Sequence, residues 1–515
     1  MAGARPQDLS HAGMSFLLFL LFSLWTPPVR AQGLFLGRME DPPALARRLA
    51  QVVRLARSAG PAARSAMVPF LVDAAKGLST EEVGRVLDGL NRAILAGAGL
   101  PADRENFFRM SLFLHALPEV QEAGRKALIH LTVRLLLPLE VPGGMEVVFR
   151  VRDPLRGKVL AERAFPGEAD RHGLLRYDVT LPFSMAGAAP GRYVGEAEIR
   201  FHGKGPARPE VLNRRTAFYL LDRFHEEMAE LGRRYSALDR AWGRPPSGRN
   251  GPLAGGFFAL PALVSVLGEL DRTVNPQKGN PPLVDVDQAG CLLFARNWTR
   301  LLEEGMDPLA ESLGDIPAGT RVEGGTVVPL RVYLPPGLPP KGRRRALLFL
   351  PDLLGGEADL AQVHGAGILP GLAARHRVVV ACLQTGYLKS GGDPIRAARE
   401  TLVREFGVSP KGVTLAGQGR GASQAYYSCL AHPELWGGLV LVSGPPVDPR
   451  NPAPLGKRTL FLEGEKDPDR ALLKPLEEAA RKGKVAYRLV PGAERFLALT
   501  FSLDQILAWT AQHPH

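Results

Sequence analysis

From about Ile316 to the end of the 515-residue chain, continuous apolar runs alternate with segments of helical period. The runs "ALLFL", "HRVVVACLQ", "GVTLAGQG", "GGLVLVSG", "RTLFLEGEKD" and "KVAYRLVPG" contain no polar alternation. A strand apolar on both faces must be covered on both faces, which means a mostly parallel sheet sandwiched between helices. Helices are expected at Asp393–Glu405, Ala422–Leu430, Ala471–Lys482 and in a last segment reaching Ala511. A chain of this length holds several domains, and this one, residues 316–515, is the most strongly specified.

One turn within it carries a chemical signature. "TLAGQGRGAS", Thr414 to Ser423, has the spacing of the G-x-S-x-G elbow, with Gly419 in the serine's place. The stretch "LAGQGRGASQAYYSCLAHPELWGGLVLVSG", together with the upstream "VYLPPG", resembles α/β-hydrolases of the secreted esterase and polyester-depolymerase branch. The resemblance covers the carboxy-terminal third and implies a serine, a histidine and a carboxylate acting together. Residue by residue, the nucleophile falls on Gly419. The acid falls on Asp467, a position that also suits a plain turn. The histidine falls on Arg495 in "VPGAERF", and arginine does not give up its proton near neutral pH. The only later histidines are His513 and His515, beyond the final helix. The oxyanion loop after "ALLFL", His-Gly in the family, reads Pro351-Asp352-Leu353, and a carboxylate there would repel a developing oxyanion. The ligand-facing positions implied are Asp352, Leu353 and the amide of Arg420, with Asp352 and Arg495 expected to pair across the cleft mouth. Losing the serine or the histidine of such a triad costs on the order of 10⁶ in rate. Ser423 and Ser443 are candidates for a substitute nucleophile, and both read as structural.

Upstream, residues 32–128 form a helical domain. In "LSTEEVGRVLDGLNRAIL", Ser79 and Glu82 have capping-box spacing, and Val83, Val86, Leu87, Leu90 and Ile94 make one apolar face. Residues 129–221 switch to period two. In "GRYVGEAEIRF", Tyr193, Ala197, Ile199 and Phe201 alternate with Glu196, Glu198 and Arg200. Several such runs between Gly, Pro and Asp turns predict an immunoglobulin-like antiparallel β-sandwich. Residues 222–315 read as a helical, loop-rich connection. The sequon Asn297-Trp298-Thr299 reads better as helix than as a glycosylation acceptor.

Composition narrows the function classes. The charge is +12, and with 13 lysines among 64 basic residues the excess is arginine spread through the chain. No basic-aromatic interleaving points to nucleic acid. The cysteines, Cys291, Cys382 and Cys429, sit in apolar contexts, which suits buried free thiols. No metal site or cofactor motif is apparent. The run Met14 to Trp25 is too short to span a bilayer and suits a signal-peptide core, residues 1–31, cleaved after Ala31. The expected protein is a secreted or periplasmic pseudohydrolase binding a small molecule, polymer or envelope ligand. The alternatives are an active hydrolase built unconventionally on Asp352, Asp467 and Arg495, and a structural envelope protein. Amino-terminal sequencing of the exported protein should begin at Gln32; retention of residues 1–31 would refute the cleavage site.

Overall fold

The computed structural model describes residues 42–512 apart from 80–82, 102, 104–105, 107–111, 118–119, 125–126, 136–143, 168–177, 203–209, 243–262, 264–265, 268–287, 307, 309–311, 323–325, 353–355, 366, 385–392, 445–453 and 471–473. The leader at 1–31, Glu82 of the expected capping box, Leu353, His513 and His515 lie outside the described residues.

The carboxy-terminal sheet has eight strands. They are β9 (Gly314–Arg321), β10 (Val327–Leu334), β11 (Arg344–Leu350), β12 (Val378–Leu383), β13 (Val408–Gln418), β14 (Gly438–Val442), β15 (Thr459–Gly464) and β16 (Ala486–Val490). Their order across the sheet is β9-β10-β12-β11-β13-β14-β15-β16. β10 runs antiparallel to both of its neighbours, and every pair from β12 to β16 is parallel. Every residue of β12, β14 and β15 is buried, which is why those runs show no alternation. The helices α6 (Leu369–His376), α7 (Pro394–Arg404), α8 (Arg420–Ala431), α9 (Lys474–Arg481) and α10 (Arg495–Gln512) connect and cover the strands. Asp393 caps α7, its carboxylate accepting from the amides of Ile395 and Arg396 at 3.1 and 3.0 Å.

The amino-terminal helices α1 (Pro42–Ser58), α2 (Pro61–Ser79) and α3 (Val83–Gly97) do not keep a core of their own. Val52, Met67, Leu71, Leu87, Leu90 and Ile94 share one core with Leu347, Phe349 and Val380 of the sheet and with Leu499, Leu503 and Leu507 of α10. The apolar stripe read in α3 therefore serves this shared core. On the other face, α4 (Phe224–Trp242) and α5 (Gln288–Glu303) bury Phe224, Leu231, Leu238, Leu292, Trp298 and Leu302 against Ile316, Val328 and Val332. The stretch expected to be a connection thus covers the β9–β10 end of the sheet. Asn297 is exposed on α5, while Thr299 is buried and bonds back to the Ala295 carbonyl at 2.7 Å.

Between these parts, two sheets share one further core. One is β1 (Leu112–Leu117), β3 (Leu128–Leu135) and β6 (Asp178–Ser184). The other has the order β2-β8-β7-β4-β5, from β2 (Val120–Glu122), β8 (Glu210–Leu221), β7 (Gly191–His202), β4 (Gly144–Asp153) and β5 (Lys158–Gly167). Strands therefore begin at Leu112, before the boundary read at 129. Phe149, Phe183, Tyr193, Ala197, Ile199 and Phe218 fill the space between the sheets. The alternation in β7 is realised: Tyr193, Ala197 and Ile199 point inward, while Glu196, Glu198 and Arg200 join ion pairs on the outer face. Tyr193 donates its hydroxyl to the Ala189 carbonyl at 2.6 Å and stacks on Phe218.

Because α1–α3 share the sheet's core, a cavity there weakens the carboxy-terminal domain itself. Leu90→Ala, at a position 1% exposed, should cost about 2–5 kcal/mol. Denaturant unfolding followed through Trp436 and Trp509, in the carboxy-terminal domain, should report that loss; an unchanged transition there would show that the helices fold separately.

Candidate functional site

The site is built at the carboxyl ends of the central strands. β13 runs into Gly419, whose φ of +52° and ψ of −118° turn the chain sharply into α8. A residue with a side chain would be strained there by about 1–3 kcal/mol, and glycine is not. The turn is held by the Gly419 amide donating to the Val442 carbonyl at 3.2 Å and by the Ala422 amide donating to the Gly419 carbonyl at 3.1 Å. Gly421 lets β11 approach closely, since a Cβ there would meet the Leu350 carbonyl oxygen at 2.1 Å.

That approach delivers Asp352 to the turn. A Cβ built on Gly419 would lie 2.2 and 2.4 Å from the Asp352 carboxylate oxygens. The carboxylate therefore fills the volume in which a side chain at 419 would begin. The Arg420 amide, at the positive end of α8, donates to Asp352 Oδ1 at 2.9 Å.

This strand order, with its antiparallel second strand and a sharp turn after the central parallel strand, decides the fold. The carboxy-terminal domain has the α/β-hydrolase fold. Similar solved structures include an S-formylglutathione hydrolase from Staphylococcus aureus, 14% identical, covering 39% of this chain and 97% of its own, with a TM-score of 0.33. The esterase domain of a Rhodothermus marinus protein is 13% identical over 39% of this chain and 99% of its own, with a TM-score of 0.31. A fungal esterase from Rhizomucor miehei is 15% identical over 54% of this chain and 96% of its own, with a TM-score of 0.30. No protein-family model matches the sequence, and no curated protein matches it.

On the hydrolase frame, Asp467 follows β15 and Arg495 opens α10. Arg495 is thus a first-turn helix residue, where the sequence suggested a loop. Both are buried: Asp467 is 6% exposed and Arg495 7%. Arg495 Nε lies 3.6 Å from Asp467 Oδ2, and its Nη2 pairs with Asp469. Burial alone would lower the Arg495 pKa, but Asp467, Asp352 and Asp469 together raise it. The elbow is tied to this residue through Gln418, whose Nε2 donates to the Arg495 carbonyl at 2.8 Å. Arg495 bonds to the acids after β15 and also feels the charge of Asp352, which docks on the elbow. Gly419 offers no nucleophilic atom, and a guanidinium held charged accepts no proton.

Sequence reading missed three acids here. Glu463, at the end of β15, is 1% exposed, and burial together with the charge of Asp467 pushes its pKa up to about 9. Glu494, fully buried, has its pKa pushed up to about 7 by burial, although it accepts from the amides of Phe496 and Leu497 at 2.9 Å each. Asp469 is the third. The acid-rich "LEGEKDPD" was the signal available for Glu463 and Asp469; Glu494 lies in "VPGAERF", which reads as a turn. Ser443 is 2% exposed with φ +43°, and Ser423 is half-buried. Cys382 and Cys429 are buried, Cys291 is only half-buried, and all three are free thiols. Among the described residues, no cluster of His, Cys, Asp and Glu could hold a metal ion, and no helix is long and apolar enough to cross a membrane.

The buried acids set a pH dependence. Glu463 and Glu494 have folded pKa values near 9 and 7, above those of the unfolded chain, so between about pH 4.5 and 9 the folded state binds more protons. Their contribution to stability therefore falls as pH rises through that window. Melting temperatures measured from pH 5 to 9 should decline, and Glu463→Gln should flatten the decline above pH 7. An equal slope in the variant would place the effect elsewhere.

Proposed function

We propose that the chain is an exported α/β-hydrolase-fold protein that binds or scaffolds and does not hydrolyse esters. The observation that carries this reading is the Asp352 carboxylate, seated where a nucleophile's side chain would start and bonded to the amide that would stabilise an oxyanion. A tetrahedral intermediate needs that donor free, and its loss alone costs on the order of 10²–10³ in rate. Arg495 in the histidine's position removes the general base as well. A working hydrolase built on Asp352, Asp467 and Arg495 has less support, because none of the three can be both nucleophile and proton acceptor in this arrangement.

The remaining parts fit a scaffold. The two-sheet module, which we read as immunoglobulin-like, carries at Tyr193 the bond from a strand-start tyrosine to an upstream carbonyl that marks a tyrosine corner. The amino-terminal run at Met14–Trp25 supports export to the periplasm, cell envelope or medium. The ligand would be a small molecule, a polymer or an envelope component.

Purified protein should leave short-chain nitrophenyl esters at the background rate and should not react with a fluorophosphonate. Gly419→Ser alone should change neither result, because Asp352 occupies the space the new side chain needs. Turnover or serine labelling in the wild-type protein would overturn the reading.

A further inference from the structure

Asp352 is bound at the elbow as a ligand would be. Its carboxylate lies against Gly419, where only glycine leaves room, and Oδ1 accepts from the Arg420 amide at 2.9 Å. Arg495, only 7% exposed, is held charged partly by Asp352 itself. The amide end of α8 thus holds this carboxylate, whose charge also acts on the buried Arg495. Gly421 completes the arrangement by letting the Leu350 and Pro351 carbonyls rest against the first turn of α8, which aims the next residue at the elbow.

We propose that the relic oxyanion site is a carboxylate-binding site whose resident ligand is Asp352, and that it now works to staple β11 to the elbow. This rests on the reading that the site no longer hydrolyses. In an active enzyme such donors meet negative charge only in the transition state. Here the charge is permanent, so the same donors contribute to the ground-state stability of the fold. A charge-assisted hydrogen bond of this kind is among the stronger ones a fold can make. Gly419 and Asp352 are then a matched pair: a side chain at 419 evicts the carboxylate, and the carboxylate excludes the side chain.

The ligand chemistry is testable because the resident can be cut out and replaced. Asp352→Ala leaves the backbone and Cβ and removes only the carboxylate, so formate is the missing group. The variant's melting temperature should fall by about 3–10 °C. Formate should restore it in a saturable manner, where chloride at equal ionic strength does not, and the bulkier benzoate should fail. Wild-type protein should respond to formate no more than to chloride. Should Asp352→Ala fail to fold, Asp352→Asn keeps the shape and an acceptor for the Arg420 amide while removing the charge facing Arg495, and its melting temperature should also fall. An unchanged melting temperature in either variant, or equal effects of formate and chloride on Asp352→Ala, overturns the proposal. Ester turnover by the wild-type protein would overturn the functional reading, whereas formate rescue of Asp352→Ala would still show a bound carboxylate.

Discussion

The contact between Asp352 and the elbow organises the carboxy-terminal domain. It joins the end of β11 to the turn after β13, which are adjacent strands in the sheet, and it sits beside the buried arginine that opens α10. Each side of the contact constrains the other. The positive φ at Gly419 and the filled space above it both demand glycine, one through backbone sterics and the other through packing. The carboxylate, for its part, is acceptable at low exposure because an amide and a guanidinium compensate it.

Around this point the domain tolerates an unusual concentration of acid. Asp467, Asp469 and Asp352 are offset by Arg495, whose pKa they raise against the lowering effect of burial. Burial and the charge of Asp467 keep Glu463 protonated at neutral pH and bring the Glu494 pKa up to about 7. The carboxyl end of the central strands is thus filled by a packed, partly protonated charge network. Removing Arg495 would leave the buried Asp467 without its ion-pair partner.

The outer parts of the chain are bound into the same frame. The helices α1–α3 and α10 close one face of the sheet, and α4 and α5 close the other near β9. Covering both faces with segments from far upstream makes α1–α3, α4 and α5 part of the carboxy-terminal core, while the two-sheet module keeps a core of its own.

Local pattern by itself determined the buried parallel strands, the elbow and the alternation in β7, because burial on two faces, a glycine-spaced turn and period-two patterning each leave a signature within a few residues. Sequence patterning could not show that the helices of 42–97 serve the sheet's core, because an amphipathic stripe does not name its partner. Nor could it show that Asp352 docks on Gly419, 67 positions away, or that Glu463 stays protonated. Those depend on which strand ends and helix starts the topology brings together, and burial and electrostatic compensation exist only once that packing has formed.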